Sequence, residues 1–187
     1  MSATSQPFGL RPAFHMSGVV RPVQMTILTG YATNIFQNQP VKIVPSSTGE
    51  GTIAAAAVGD RYIGTFQGVE WTDTDGRRRV SNKWTASTSG TDIVCYVTND
   101  PTIVYEIQSN AALNVVDIGK QYDFTAASGN TVVGLSTQML DVASVAANAS
   151  LQLVNITPGS DNNWGDTYVI AQVRISEHQM VADIASF

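Results

Sequence analysis

Residues 58–108 constrain the fold more than any other part of the chain, because two consecutive β-hairpin patterns fill this stretch. In the first pattern, segments 62–72 and 78–85 are rich in the aromatic and β-branched residues that favour strands. The tetrapeptide Asp-Thr-Asp-Gly at 73–76 joins them, and its Asp-Gly pair accepts the positive φ of a tight turn or bulge. The stretch is therefore predicted to begin with an antiparallel hairpin.

A second hairpin pattern follows directly, with segments 91–98 and 102–108 on either side of Asn-Asp-Pro at 99–101. Strands spaced by about 8–12 residues, with turns rich in Gly, Pro and Asn, are typical of sandwiches and barrels. The 187 residues have the length of one domain. The sequence therefore predicts a single all-β domain, either a β-barrel or a β-sandwich. Its other short strand candidates are 25–31, 34–36, 40–44, 135–140, 151–156 and 167–175. The last of these alternates most cleanly, with Val169, Ala171, Val173 and Ile175 on one face, as in a half-buried strand.

Three further segments give a less definite signal. Segment 53–58 contains four consecutive alanines and has the composition of a helical turn, but so short a helix is unstable by itself. Segment 142–150 has small residues that fit either a helix or a loop. Segment 117–124 is interpreted as a loop that returns the chain across the mouth of a barrel.

Residues 1–24 differ from the rest and are interpreted as an extended N-terminal arm that precedes the β domain, 25–187. Three prolines and two glycines disfavour a long helix or a central strand here, yet the stretch is too apolar for a solvated linker. It can pack along the edge of its own sheet or order on a partner, and both alternatives stay open. The arm is expected to add little to domain stability. Its candidate partner-binding residues are Phe8, Leu10, Arg11 and Phe14.

Composition narrows the possible partners. The formal net charge of −5 disfavours nucleic acid, because phosphate binding needs a concentrated basic surface. Only 13% of residues are charged, against about a quarter in an ordinary globular domain, which indicates that much of the chain is buried or docked on a partner surface. The basic cluster at 77–79 is expected to be a solvated or salt-bridged hairpin edge, with contact to a capsid or an anion as the alternative. No apolar run has the length of a membrane span and no signal-peptide pattern occurs, so no membrane is expected.

Residues suited to catalysis or metal binding are sparse. His15 and His178 are far apart in the sequence, and no Cys-x-x-Cys, phosphate-loop or nucleophile-elbow pattern occurs. Cys95 alternates with apolar residues and is interpreted as a buried small hydrophobe. Asp73 and Asp75 either hold a cation or serve as turn residues, and the second reading is favoured. The chain is predicted not to be an enzyme and to need no cofactor, although the distant carboxylates of a glycosidase would leave no sequence pattern.

Aromatic residues allow two readings, a carbohydrate-binding groove or core packing, and core packing is favoured because most lie in strand candidates. Segment 62–71 is apolar on both of its faces. Burial of both faces indicates a second layer, which a neighbouring subunit is expected to supply. Tyr62 and Phe66 are therefore the predicted oligomer-interface residues. The aromatic residues considered are Trp71, Trp84, Trp164, Tyr62, Tyr96, Tyr105, Tyr122 and Tyr168.

Four segments carry a resemblance to a known class of protein. They are Gly-Leu-Arg-Pro at 9–12, Asn-Gln-Pro-Val-Lys-Ile at 38–43, the run 59–69 from Gly-Asp-Arg-Tyr to Gln-Gly-Val, and 99–108. These segments resemble structural proteins of tailed-bacteriophage heads and, more narrowly, small capsid decoration (cement) proteins.

The resemblance implies a non-enzymatic virion protein that is made in the host cytoplasm and binds the outer surface of the phage head. Its partner would be the major capsid protein, whose contacts it would stabilise. A homo-oligomer is implied as well, with a trimer favoured. A carbohydrate- or host-surface-binding module on the virion, or a structural subunit of the tail or connector, remains the alternative.

Overall fold

The computed structural model describes residues 2–45 and 51–184, and the predicted all-β fold is confirmed there. These residues form two antiparallel sheets rather than one closed barrel. In chain order the strands are β1 (Arg11–Phe14), β2 (Val23–Met25), β3 (Pro40–Val44), β4 (Thr52–Ala55), β5 (Gly64–Asp73), β6 (Arg78–Ser81), β7 (Gly90–Thr98), β8 (Val104–Gln108), β9 (Gln121–Phe124), β10 (Leu140–Ala146), β11 (Leu151–Ile156) and β12 (Ile170–Ile175). A short 3-10 helix, Val115–Asp117, lies between β8 and β9.

The first sheet has the strand order β1-β8-β12-β11-β9-β10. The alternation expected near the C-terminus is confirmed, because Ala171, Val173 and Ile175 of β12 are at most 1% exposed. Just after β8, Ser109 forms an isolated bridge with Leu140 at the start of β10. The sheet therefore curls until two strands that are distant in its order meet.

The second sheet has the strand order β2-β7-β5-β3-β4, and β6 pairs with β5 outside this path. Thr26, which follows β2, bridges to Thr52 at the start of β4, so this sheet curls in the same way. The first predicted hairpin is confirmed as β5 and β6. In its turn the Asp73 amide donates to the Arg77 carbonyl oxygen at 2.9 Å, and Gly76 has a φ of 79°, which glycine adopts without steric cost.

The second predicted hairpin does not form. Its strands exist as β7 and β8, but β7 belongs to the second sheet and β8 to the first. Between them the Asp100 carboxylate accepts a hydrogen bond from the Thr102 amide at 2.8 Å, and Pro101 has no amide to donate. The local turn therefore serves as a crossover between the two sheets.

The segments with weak signals are strands or parts of strands. The alanines of 53–58 lie partly in β4, where pairing with β3 outweighs their helix propensity. Segment 142–150 is largely the end of β10, and 117–124 contains the end of the 3-10 helix and β9. Of the two candidates at 25–31 and 34–36, the first holds only the end of β2 and the second a single bridge, Ile35 to Trp84.

Each sheet surrounds its own hydrophobic core. The first core contains Leu10, Ala56, Tyr62, Ile103, Tyr105, Ile107, Leu113, Tyr122, Phe124, Leu140, Leu151, Leu153, Val169, Ala171, Val173 and Ile175. The second contains Ile27, Ile35, Val41, Ile53, Ile63, Phe66, Val69, Trp84, Cys95 and Val97. Burial of apolar side chains supplies the main driving force for folding, and in this protein that burial is divided between two separate cores.

The two residues expected at an oligomer interface are core residues of the monomer. Tyr62 is 0% exposed and packs edge-to-face on Phe124 in the first core, and Phe66 is 0% exposed in the second. The chain passes from the first core to the second between Tyr62 and Phe66. The residues that cover each of these side chains therefore belong to the same chain, and no neighbouring subunit is needed. At the crossing, a Cβ on Gly64 would lie 1.5 Å from the Thr98 carbonyl oxygen, so only glycine fits.

Candidate interaction surface

The N-terminal arm runs over both sheets and is partly built into them. Residues of β1 form an edge strand on β8, and β2 pairs with β7. Leu10, proposed above as a partner-binding residue, is 0% exposed and lies in the first core. Its position is fixed because its amide donates to the Asn38 carbonyl oxygen at 2.8 Å and the preceding Gly9 has a φ of 76°. Leu10 is therefore a core residue and is not free to contact a partner.

The other three arm residues remain at the surface. The Arg11 guanidinium lies 4.6 Å from the centre of the half-buried Phe8 ring and forms an ion pair with Glu106. Phe14, at the end of β1, is 45% exposed. Phe14 is thus the residue of this group that offers apolar area to a partner, whereas Arg11 is engaged within the chain.

A tight turn follows β1 and presents Met16, which is 89% exposed. The Ser17 amide donates to His15 Nδ1 at 3.1 Å, and the Gly18 amide donates to the His15 carbonyl oxygen at 2.8 Å. His15 Nε2 lies 3.4 Å from the Asp100 carboxylate. These contacts fix the turn against the crossover between the sheets.

Between this turn and the crossover lies a cleft of about 500 Å³, which we call the arm cleft. Hydrogen bonds from the Thr102 hydroxyl and amide lower the pKa of Asp100 at one side of it, so that carboxylate is ionised at neutral pH. The cleft is lined by His15, Ser17, Val19, Arg21, Val23, Asn99, Asp100 and Ile103.

Two other turns also present apolar side chains. Val132 is 92% exposed on a turn in which the Asn130 side chain accepts hydrogen bonds from the amides of Val132 and Val133. Val116 is 78% exposed on the 3-10 helix, which Asp117 caps by accepting from the Asn114 amide at 2.8 Å. Neither turn was predicted from the sequence to present apolar side chains. An Asn that precedes apolar residues in a glycine-containing segment is the signal that indicates the first of them.

The basic cluster forms a salt-bridged hairpin edge, as expected. Arg79 lies 3.1 Å from Asp73 and 3.1 Å from Asp75, and Arg78 lies 3.3 Å from Glu70. The Thr74 amide and Arg79 lower the pKa of Asp73. The charge of both turn carboxylates is therefore balanced within the hairpin. Across the described ranges, no group of three or more His, Cys, Asp or Glu residues is placed to hold a metal ion.

Cys95 and His178 are both buried and serve the fold. Burial raises the pKa of the Cys95 thiol to about 12, so it stays protonated and unreactive at neutral pH. His178 is 0% exposed and contacts the carbonyl oxygen of Ile63 through Nε2 at 2.9 Å, while Nδ1 accepts from the Met180 amide at 3.1 Å. Neither residue lies on an accessible surface.

Most of the aromatic residues lie in the cores, which agrees with the favoured reading. Trp84, Tyr62, Tyr105 and Tyr122 are at most 2% exposed. Trp71 packs edge-to-face on Trp84 with ring centres 5.9 Å apart. These rings are therefore engaged inside the protein and are not free to stack on a sugar.

No protein-family model, curated protein or solved structure matches the chain. Within the described residues, no helix has the length and apolar character needed to cross a membrane.

Proposed function

We propose that this protein is a structural protein of a tailed-bacteriophage virion, which binds the outer surface of the head and stabilises contacts between major capsid proteins. The sequence resemblance suggests this class. One structural observation supports it best: the most exposed apolar side chains are held on ordered turns or on an edge strand. We call Met16, Val80, Val116 and Val132 the apolar tips; each is at least 78% exposed.

Single exposed apolar residues are ordinary in soluble proteins, so exposure alone carries little weight. The tips differ because local hydrogen bonds hold the backbone of their turns, which reduces the conformational entropy lost on docking. Val80 lies on β6, which pairs with β5 through the register Glu70 to Val80. Apolar side chains presented in this way suit contact with a preformed protein surface.

The arm offers side chains rather than a pairing edge. Pro12 lies in β1 and has no amide to donate, and the pairing of β1 with β8 shifts register between Pro12 and Phe14. Addition of a partner strand at this edge is disfavoured for that reason. Phe14 and Met16 therefore provide the contact of the arm with a neighbouring protein.

The mechanism requires no chemical step. A protein that binds only the assembled lattice stabilises that lattice by the free energy of its own binding. Each apolar tip that becomes fully buried contributes up to about 1.5–3 kcal/mol before ordering costs. Several such contacts on one body link neighbouring capsid subunits.

The test is cosedimentation of the purified protein with heads assembled without it, followed by negative-stain imaging. We expect saturable binding, and heads that resist heating better when coated. Met16→Ser and Val132→Ser should each weaken binding about tenfold if the tip is fully buried. Val58→Ser is the matched control, because Val58 is 48% exposed but is not one of the apolar tips.

Absence of binding to such heads would refute the proposal. A glycan array provides the separate test of the carbohydrate-binding alternative, which predicts binding to at least one sugar. Purified tails and connectors added to the same sedimentation assay test the remaining alternative. Binding to either of these in place of heads would replace the proposal with that alternative.

A further inference from the structure

The arm cleft contains two polar side chains that the fold does not use. Within the described residues, the Arg21 guanidinium has no ion pair or hydrogen bond, and the Asn99 carboxamide has no hydrogen-bond partner. Both groups line the same cleft and carry N–H donors, and a guanidinium and an amide each suit a carboxylate. The cleft therefore has free donors, whereas arginines 11, 61, 77, 78 and 79 are ion-paired.

The position of Arg21 is fixed from both sides. Val20 packs against the first core, and Val23 begins β2 and pairs with Val97 in the second sheet. Pro22, the next residue, restricts the backbone between them. The backbone that carries Arg21 is thus a short segment anchored at each end.

The rest of the cleft has the character of a peptide site. Val19 and Val23 give it an apolar wall beside Arg21. Asp100 also lines the cleft, where it accepts hydrogen bonds from Thr102 and lies 3.4 Å from His15. A carboxylate in the cleft is consequently attracted by Arg21 and repelled by Asp100.

We propose that the arm cleft binds an extended segment of a partner protein in which an acidic side chain lies between apolar ones. Arg21 and Asn99 hold the carboxylate, and the apolar neighbours pack on Val19 and Val23. This inference rests on the proposed function only in identifying the partner as a head protein. Its chemistry is tested without heads.

The probe is the peptide acetyl-Ala-Val-Glu-Val-Ala-amide, added to the full-length ¹⁵N-labelled protein and followed by NMR. We expect saturable shifts of the Ser17 and Gly18 amides and of the Asn99 side-chain amide. The matched peptide with Gln in place of Glu should bind about tenfold more weakly, because it loses the charge-assisted hydrogen bonds. A third peptide with Lys in that place should not bind.

Two variants give effects of opposite sign. Arg21→Gln should weaken binding of the Glu peptide about tenfold, whereas Asp100→Asn should strengthen it, because a like charge is removed from the cleft. Arg77→Gln is the control for Arg21→Gln, since Arg77 is 78% exposed on the β5–β6 turn. It should leave binding unchanged.

The inference is overturned if the Glu peptide causes no saturable shift at millimolar concentration, if the Lys peptide binds better, or if Arg21→Gln has no effect. Sedimentation with heads keeps this result separate from the proposed function. Unmodified protein that binds heads but not the Glu peptide would refute the cleft assignment alone. Protein that binds the peptide but not heads would refute the proposed function alone.

Discussion

His178 Nε2 donates a hydrogen bond to the carbonyl oxygen of Ile63 at 2.9 Å, which ties the segment after β12 to the segment before β5. The same nitrogen lies 3.2 Å from the carbonyl oxygen of Asn99 in the crossover after β7. Nδ1 accepts from the Met180 amide, so the neutral tautomer with a proton on Nε2 satisfies all three partners. One side chain therefore joins the two sheets at the point where the chain crosses between them.

We expect His178→Ala to lower the free energy of unfolding by about 3 kcal/mol or more, because it leaves buried carbonyl oxygens unpaired and opens a cavity. Denaturant unfolding followed by tryptophan fluorescence measures this change. His15→Ala is the control, and its effect should stay below about 1 kcal/mol, as for most surface substitutions. Equal stabilities of the two variants would show that His178 does not link the sheets.

Phe66→Ala should destabilise the monomer by about 3–5 kcal/mol, the usual cost of removing a buried phenylalanine. Phe14→Ala, at a side chain that is 45% exposed, is the matched control and should cost about 1 kcal/mol or less. Ultracentrifugation of the folded Phe66→Ala protein should give the same association state as the unmodified protein. If Phe66→Ala abolished association and left the free energy of unfolding unchanged, Phe66 would be an oligomer-interface residue and not a core residue.

The hairpin at 73–76 and the alternation in β12 were predictable because each depends on local chemistry, an Asp-Gly turn in one case and a period of two in the other. The separation of β7 and β8 into different sheets was not predictable. The short turn at 99–101 has the composition of a hairpin, and nothing local shows that the two strands join different sheets. The partner of a strand is set by long-range packing.

The same limit applies to the candidate site. The apolar and irregular character of the arm was evident, but burial of Leu10 depends on its contact with Asn38, which is distant in sequence. Tyr62 and Phe66 were correctly expected to be covered on both sides of their segment. The layer that covers the second face of this segment can come from a neighbouring subunit or from the same chain. Sequence periodicity does not distinguish the two, because the answer depends on the topology of the fold.

Cys95 should not react with a thiol reagent in the native protein at pH 8. Burial raises its pKa to about 12, so the reactive thiolate forms only at much higher pH. Stopped-flow absorbance with a disulfide reagent should show full labelling in denaturant and almost none without it. Rapid labelling of the folded protein would mean that the thiol is exposed.

Stability should fall in acid in a way that depends on Asp60. The side chain of Lys42, at 2.6 Å, and the Ala57 amide lower the pKa of this carboxyl in the folded protein. A lowered folded pKa contributes stability that is present above the unfolded value of about 3.9 and is lost as pH falls through the folded pKa. Unfolding measured from pH 6 to pH 2.5, about the range of that titration, should show a smaller acid loss for Asp60→Asn. An unchanged pH profile would contradict this assignment.

The arm should separate into a part that stabilises the fold and a part that binds. Leu10→Ala is expected to lower the free energy of unfolding by about 2–5 kcal/mol, because Leu10 lies in the first core. Met16→Ser should leave that energy within about 0.5 kcal/mol, since its side chain is almost fully exposed. Removal of residues 2–20 should therefore destabilise the domain, contrary to the expectation from sequence alone.

Sedimentation with heads gives the opposite ranking of these two variants. Folded Leu10→Ala protein should bind with unchanged affinity, whereas Met16→Ser should bind about tenfold more weakly if Met16 is buried on docking. Both measurements are made at a temperature where each variant is folded, as confirmed by circular dichroism. If Leu10→Ala weakens binding while its stability is unchanged, Leu10 leaves the core to contact the partner, and the arm must then detach from β8 on docking.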